Sequence, residues 1–136
     1  MNQADGQHNQ FSLLLDETLS GRTVLSGLKT HGIPVMGLCE VVDRGSSDTT
    51  VLNALAARPD LYLLTRDRDF RYHPRVKERL MAHGIGVFVI TSAGNKTAPE
   101  LVAIVLSAWP AINRFVKRNK RPFAAKITGN KVERHQ

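Results

Sequence analysis

Four short apolar runs constrain the fold more than any other feature of the chain. Residues 11–15, 33–38, 61–65 and 85–90 are each five or six residues long, and they alternate with stretches whose apolar residues recur at helical spacing. An apolar run of that length bounded by polar residues reads as a strand buried on both faces. A parallel neighbour is reached only by a crossover, and crossover helices cover the faces of the sheet. The expected fold class is therefore α/β, a single three-layer α/β/α domain with a mostly parallel sheet.

The stretches between the runs support this. Leu19, Val24, Leu25 and Leu28 recur at helical spacing, with Thr18 or Ser20 as the expected N-cap and Gly32 as terminator. Pro34 lies near the start of the second run, where a missing N–H is tolerated. The polar loop 44–47 introduces a helix over 48–57 that ends before Pro59. In it Asp48, Val51, Leu52 and Leu55 fall at i, i+3, i+4 and i+7, so the carboxylate shares a face with the apolar residues. His73 and Pro74 open a further helix closed by Gly84, and a helix over 99–117 contains Pro110, which predicts a kink. Cys39 reads as a small buried hydrophobe. Residues 1–10 form a polar, aperiodic arm expected to be disordered, 11–122 the folded domain, and 123–136 a basic C-terminal tail. Gly129-Asn130 makes a β-hairpin the alternative for that tail.

Several classes are excluded at this level. A chain of 136 residues has room for one domain. No apolar run approaches the roughly 18 residues needed to cross a bilayer, no secretory leader is recognisable, and one cysteine cannot close an internal disulfide; no membrane association and a cytoplasmic location are expected. The net charge of +7 is unevenly spread. Residues 1–70 carry 6 Lys or Arg against 9 Asp or Glu, and residues 71–136 carry 13 against 3. A positive surface draws polyanions by long-range potential and counterion release, which points towards nucleic acid.

In open parallel α/β sheets ligands bind beyond the carboxyl ends of the strands. Asp16 and Glu17 follow the first run, Asp67 and Asp69 follow the third, and Asp48 begins the intervening helix, so five carboxyl groups are expected on one rim. Ionised carboxylates so crowded repel unless a cation neutralises them. Ligands that are all oxygen favour Mg²⁺ or Mn²⁺ over zinc. Carboxylate-held Mg²⁺ suits phosphodiester hydrolysis, and Arg66 and Arg68 supply guanidinium forks that match phosphate oxygens.

The same residues resemble a known family. Leu13-Leu14-Leu15-Asp16-Glu17-Thr18-Leu19-Ser20, Ser47-Asp48 followed by Val51-Leu52, and Leu64-Thr65-Arg66-Asp67-Arg68-Asp69-Phe70 together look like the PIN domain, most closely its short PIN-like branch. The resemblance spans about residues 11–90 and implies a metal-dependent nuclease on a doubly wound α/β core. Many bacterial members are VapC-type ribonuclease toxins, so it also implies an antitoxin partner. By resemblance Asp16, Asp48, Asp67 and Asp69 are metal-holding and catalytic, and Thr65 matches the hydroxyl residue before the last shared acid. One departure stands out: the helical Glu of standard PIN domains has no clear counterpart, Glu40 lying on a different kind of segment.

The basic end completes the reading. Arg114, Lys117, Arg118, Lys120 and Arg121 place five cations in eight residues and are expected, with Arg66 and Arg68, to hold RNA. The favoured function is a Mg²⁺- or Mn²⁺-dependent ribonuclease, the toxin of a toxin–antitoxin pair, with a homodimer plausible through the last helix. Alternatives are a PIN-like module that grips RNA or a protein without cutting, and a receiver-like phosphoacceptor, for which Lys96 is a poor conjugated lysine.

Overall fold

The computed structural model describes residues 11–16, 19, 21–66, 74–91 and 96–134, and for residues 48, 74, 76 and 77 the backbone alone. In chain order the elements are β1 (Ser12–Leu15), α1 (Arg22–Thr30), β2 (Val35–Gly37), a 3₁₀ turn (Leu38–Glu40), α2 (Asp48–Ala56), β3 (Leu61–Arg66), α3 (Pro74–Ala82), β4 (Gly86–Ile90), α4 (Ala98–Arg118), β5 (Phe123–Thr128) and β6 (Lys131–Arg134). The strands form one sheet in the order β2-β1-β3-β4-β5-β6; all neighbours are parallel except β5 and β6, which are antiparallel.

Alternation along the strands divides the core in two. Leu13 and Leu15 of β1, Tyr62 and Leu64 of β3, and Phe88 and Ile90 of β4 pack with Val24 and Leu28 of α1 and with Leu101, Val105, Ala108 and Ile112 of α4. Leu14, Leu61, Leu63, Val87 and Val89 point the other way and pack with Leu52 and Leu55 of α2 and Leu80 of α3. The result is the expected three-layer sandwich, α1 and α4 on one face and α2 and α3 on the other. Strands with apolar residues on both sides read as continuous hydrophobic runs for this reason. Between β3, β4 and β5 the fit requires a glycine: a Cβ on Gly86 would stand 2.5 and 2.7 Å from carbons of the Tyr62 ring.

Local chemistry departs from expectation in three places. The first helix starts at Arg22 with Gly21 as its N-cap and no side-chain cap bond, while Thr18 and Ser20, the expected caps, lie outside the described residues. Leu19 precedes the helix in a turn, its N–H donating to the Asp16 carbonyl at 3.0 Å, and is buried there. Cys39 is exposed, because it falls in the 3₁₀ turn that follows β2 and not in the strand.

The C-terminal segment joins the sheet. Gly129, at φ 61°, occupies the left-handed region open to glycine, and the hairpin it closes pairs Thr128 with Lys131 and Ile127 with Val132. Through its parallel pairing with β4, β5 places Phe123, Ala125 and Ile127 in the same hydrophobic cluster as β1 and α1. Helix α4 runs on through Pro110 as one 21-residue element, opened by a capping box in which Thr97 and Glu100 exchange hydrogen bonds. The 1–10 arm lies outside the described residues.

Candidate functional site

The chain passes from β1 outward to β2, returns across β1, and continues through β3 to β5. The order of travel reverses between β1 and β3, and the crevice at the carboxyl ends of those two strands is where this topology builds ligand sites. Asp16 and Thr65 meet there. Leu15 pairs with Leu64, and the Asp16 N–H donates to the Leu64 carbonyl at 3.1 Å, so Asp16 is the last residue the ladder holds. Its side chain extends the Leu14 side of β1, as Thr65 extends the Leu61 and Leu63 side of β3. Across that shared face the Thr65 hydroxyl donates to Asp16 Oδ2. Thr65 is 2% exposed, and Asp16 is half-buried with its carboxylate at the rim.

Helix α2 covers this same face. It ends beside the start of β3, at the amino edge of the sheet, so its nine residues, about 13 Å long, bring its first turn back towards the carboxyl edge. Ser47 is the N-cap, its Oγ accepting from the Thr50 N–H at 3.2 Å. Capping therefore falls to Ser47, and Asp48, the first helical residue, stands at the positive end of the helix dipole on the side of Asp16 and Thr65. The Asp48 side chain, and Asp67, Arg68 and Asp69 entirely, lie outside the described residues. Among the described residues no three acidic or histidine side chains converge.

Arg66 ends β3 and, by alternation, projects to the opposite face from Thr65. Its Nε is a buried nitrogen with no hydrogen-bond partner among the described residues, at the strand end where a ligand would approach. Glu40 is engaged elsewhere: its carboxylate accepts from the Gly37 N–H at 2.7 Å and lies 3.6 Å from Lys29 Nζ. That engagement closes the turn after β2, and Glu40 is not turned towards Asp16 as a surrogate for the missing acid of standard PIN domains. His31 and His83 sit at helix ends, each with Nδ1 within 2.9 Å of a carbonyl four residues back.

The basic segment divides. Arg114 and Arg118 are exposed one turn apart on α4, and Lys117 and Lys120 are exposed beside them. Arg121 is not among them. Its guanidinium donates to the carbonyls of Gly84 at 2.9 Å and Arg58 at 3.1 Å, and more distantly to those of Leu61 and Leu55, with its carbon 5.6 Å from the centre of the Tyr62 ring. These groups lie at the amino edge, so Arg121 ties together the loops that enter β3 and β4, on the far side of the sheet from Asp16. The expectation that it holds RNA is corrected on that ground: its donors are spent on backbone.

A family model described as a PIN like domain matches residues 12–92, more than half of the chain. The chain belongs to the PIN-like domain family. No curated protein and no solved structure matches it. PIN-like domains are commonly nucleases, and the matched span runs from β1 through β4, so it contains the whole crevice around Asp16 and Thr65. The PIN-like match stops before α4, β5 and β6. Among the described residues no helix is long and apolar enough to cross a membrane.

Proposed function

We propose that this PIN-like domain is a Mg²⁺- or Mn²⁺-dependent endoribonuclease whose active centre is the crevice between β1 and β3. The observation that carries the reading is the meeting of Asp16 and Thr65 at the point where the strand order reverses, beneath the first turn of α2. The donors on this rim are carboxylate and hydroxyl oxygens, which fit a hard dication. Asp16, Asp48, Asp67 and Asp69 are the residues that would hold it; when bound, such an ion supplies positive charge to phosphoryl oxygens and lowers the pKa of water.

The chain's own groups do the positioning. The Thr65 hydroxyl, donating to Oδ2, orients the Asp16 carboxylate at the strand end. Arg66, whose Nε has no hydrogen-bond partner among the described residues, and Arg68 are placed in sequence to donate to the phosphate being cut. The first turn of α2 adds the positive end of a helix dipole on the same side.

The decisive assay compares wild type with Asp16→Asn and Asp67→Asn on a labelled RNA while Mn²⁺ is titrated. Cutting that needs the ion, stops with chelator and falls at least a hundredfold in both variants supports the reading. Equal cutting by all three proteins assigns the activity to another site or a contaminant, and RNA retention without cutting by wild type points to a binding module. Within this reading we place the protein as the toxin of a pair, with an antitoxin that covers the acidic rim. Growth arrest on induction of wild type but not of Asp16→Asn is the expected outcome, and unimpaired growth with active nuclease present would remove the toxin role.

A further inference from the structure

Between the second half of α4 and the edge strand β6 lies a groove of about 390 Å³ lined by Arg114, Phe115, Arg118, Asn130, Lys131 and Glu133, among others. Three of these are cations and one is an anion. Asn119, at its wall, is already committed: its side-chain nitrogen donates to the Phe115 carbonyl at 3.0 Å and its oxygen accepts from Arg134 at 3.2 Å. Phe115 is held edge-on against Phe88 and Phe123, with ring centres 5.9 and 4.9 Å away. The floor is therefore packed against the core, and the exposed charges are the cations Arg114, Arg118 and Lys131 and the anion Glu133.

The groove lies on the α1 and α4 side of the sheet, opposite the face on which Asp16 meets Thr65, and its Asn130 and Lys131 end reaches the carboxyl edge. Arg66 pairs with Ile90, Ile90 with Ile127, and Ile127 with Val132, so Lys131 stands one residue beyond the level of Arg66 at the same carboxyl edge. Three strand spacings separate β3 from β6, about 14 Å. From Lys131 the groove runs down past Glu133, along two arginines set about 6 Å apart on the axis of α4.

We infer that this groove is an anchoring site for the phosphate backbone of single-stranded RNA, one that holds the substrate beyond the point of cleavage. The inference rests on the ribonuclease reading for its substrate class and on the groove itself for its location. Arginine forks match phosphate oxygens, and the excess of cations over the lone Glu133 gives the groove the sign a polyanion needs. An acidic peptide would answer the same charge. RNA is favoured because the groove runs the length of β6, from Arg114 and Arg118 near the amino edge to Lys131 at the carboxyl edge that carries Asp16 and Thr65, a path an extended strand can follow.

The test measures binding of a labelled single-stranded RNA in chelator, so that nothing is cut, to Asp16→Asn and to Asp16→Asn with Arg114→Gln and Arg118→Gln. The added pair is expected to weaken binding at least tenfold and to flatten the dependence of log affinity on log salt by about 1.4, at about 0.7 for each phosphate contact to a single strand. Arg22→Gln with Lys29→Gln, an equal charge change on α1, controls for net charge, and circular dichroism confirms folding. In the otherwise wild-type enzyme the groove pair should raise KM for a long RNA by a larger factor than it lowers kcat. Affinity that does not distinguish the groove pair from the α1 pair overturns the inference while leaving the nuclease reading intact. So does displacement of the RNA by a duplex or an acidic peptide at equal concentration. Loss of Mn²⁺-dependent cutting as a property of wild type, with groove-dependent binding retained, overturns the nuclease reading alone.

Discussion

Thr65 and Asp16, 49 residues apart in sequence, are joined by a hydrogen bond from the Thr65 hydroxyl to Asp16 Oδ2. It exists because two strands of the same polarity end side by side where the winding of the sheet changes direction. Thr65 is a buried polar residue that follows an apolar run, and the bond to Asp16 helps to make its burial tolerable.

Thr65→Val keeps the shape and removes the donor. A hydrogen bond to a charged group contributes about 1.5–3 kcal/mol, so kcat/KM for RNA should fall about 10- to 100-fold, mostly in kcat, as the Asp16 carboxylate loses its fixed rotamer. Thr65→Ser should restore most of it. Steady-state kinetics beside thermal unfolding separates this from loss of the fold: a Val variant as active as wild type would show that the bond has no part in the chemistry.

Arg121 gives the opposite expectation. Arg121→Met takes a donor from the carbonyls of Gly84 and Arg58, the second of which still accepts from the Leu61 N–H, and should destabilise the protein by about 1–3 kcal/mol in urea unfolding, yet RNA affinity per folded molecule should not change. A substantial loss of RNA affinity with unaltered stability would return Arg121 to the binding surface.

Gly86→Ala should cost about 1–3 kcal/mol, because the new methyl group would overlap the Tyr62 ring and meet Phe123 at 3.1 Å. Substituting Tyr62→Leu in the same chain should recover part of that loss. The double variant's denaturation midpoint is the check, and a strictly additive result would mean that the strain is relieved elsewhere.

The pH dependence of stability has a defined sign. The Thr97 N–H beside Glu100, and the Arg58 side chain hydrogen-bonded to Asp60, hold both carboxyl groups below their ordinary values. Groups depressed on folding stabilise the native state above their unfolded values, about 4.3 for Glu and 3.9 for Asp, and the contribution is lost as pH falls through the lower folded ones. Stability should therefore decline as pH is lowered from about 5 to about 3. Glu100→Gln keeps the capping geometry without the charge and should flatten that decline, as should Arg58→Gln.

The legible part of the fold was the part whose signal is local. β1, β3 and β4 stand out as apolar runs because both of their faces are covered, and Leu52 and Leu55 turn inward at the spacing their positions predict. The start of α1 was misplaced because Thr18 and Ser20 carry the usual capping chemistry, whereas the helix begins after Gly21 with no side-chain cap. β6 gives almost no apolar signal: Lys131, Glu133 and Arg134 are exposed at the sheet edge, and only pairing with β5 makes a strand of them. The role of Arg121 was illegible because its acceptors come from two distant stretches of chain, 55–61 and Gly84, and a guanidinium reads the same in sequence whether it faces a phosphate or a row of carbonyls. At the candidate site, Asp16 and Thr65 were visible as polar residues at strand ends, while the cations of the groove became a unit only once the hairpin returned Lys131 to the side of Arg114.

That returning hairpin has a wider implication. The stretch shared with the family ends near residue 92, yet Phe88 and Ile90 are sealed by Ile112, Phe115, Phe123 and Ile127, all contributed afterwards. A shortened chain would expose those side chains to water and lose its shape. The crevice between β1 and β3 thus shares one interior with α4 and the hairpin, and variation in those later elements is bounded by the packing they have in common.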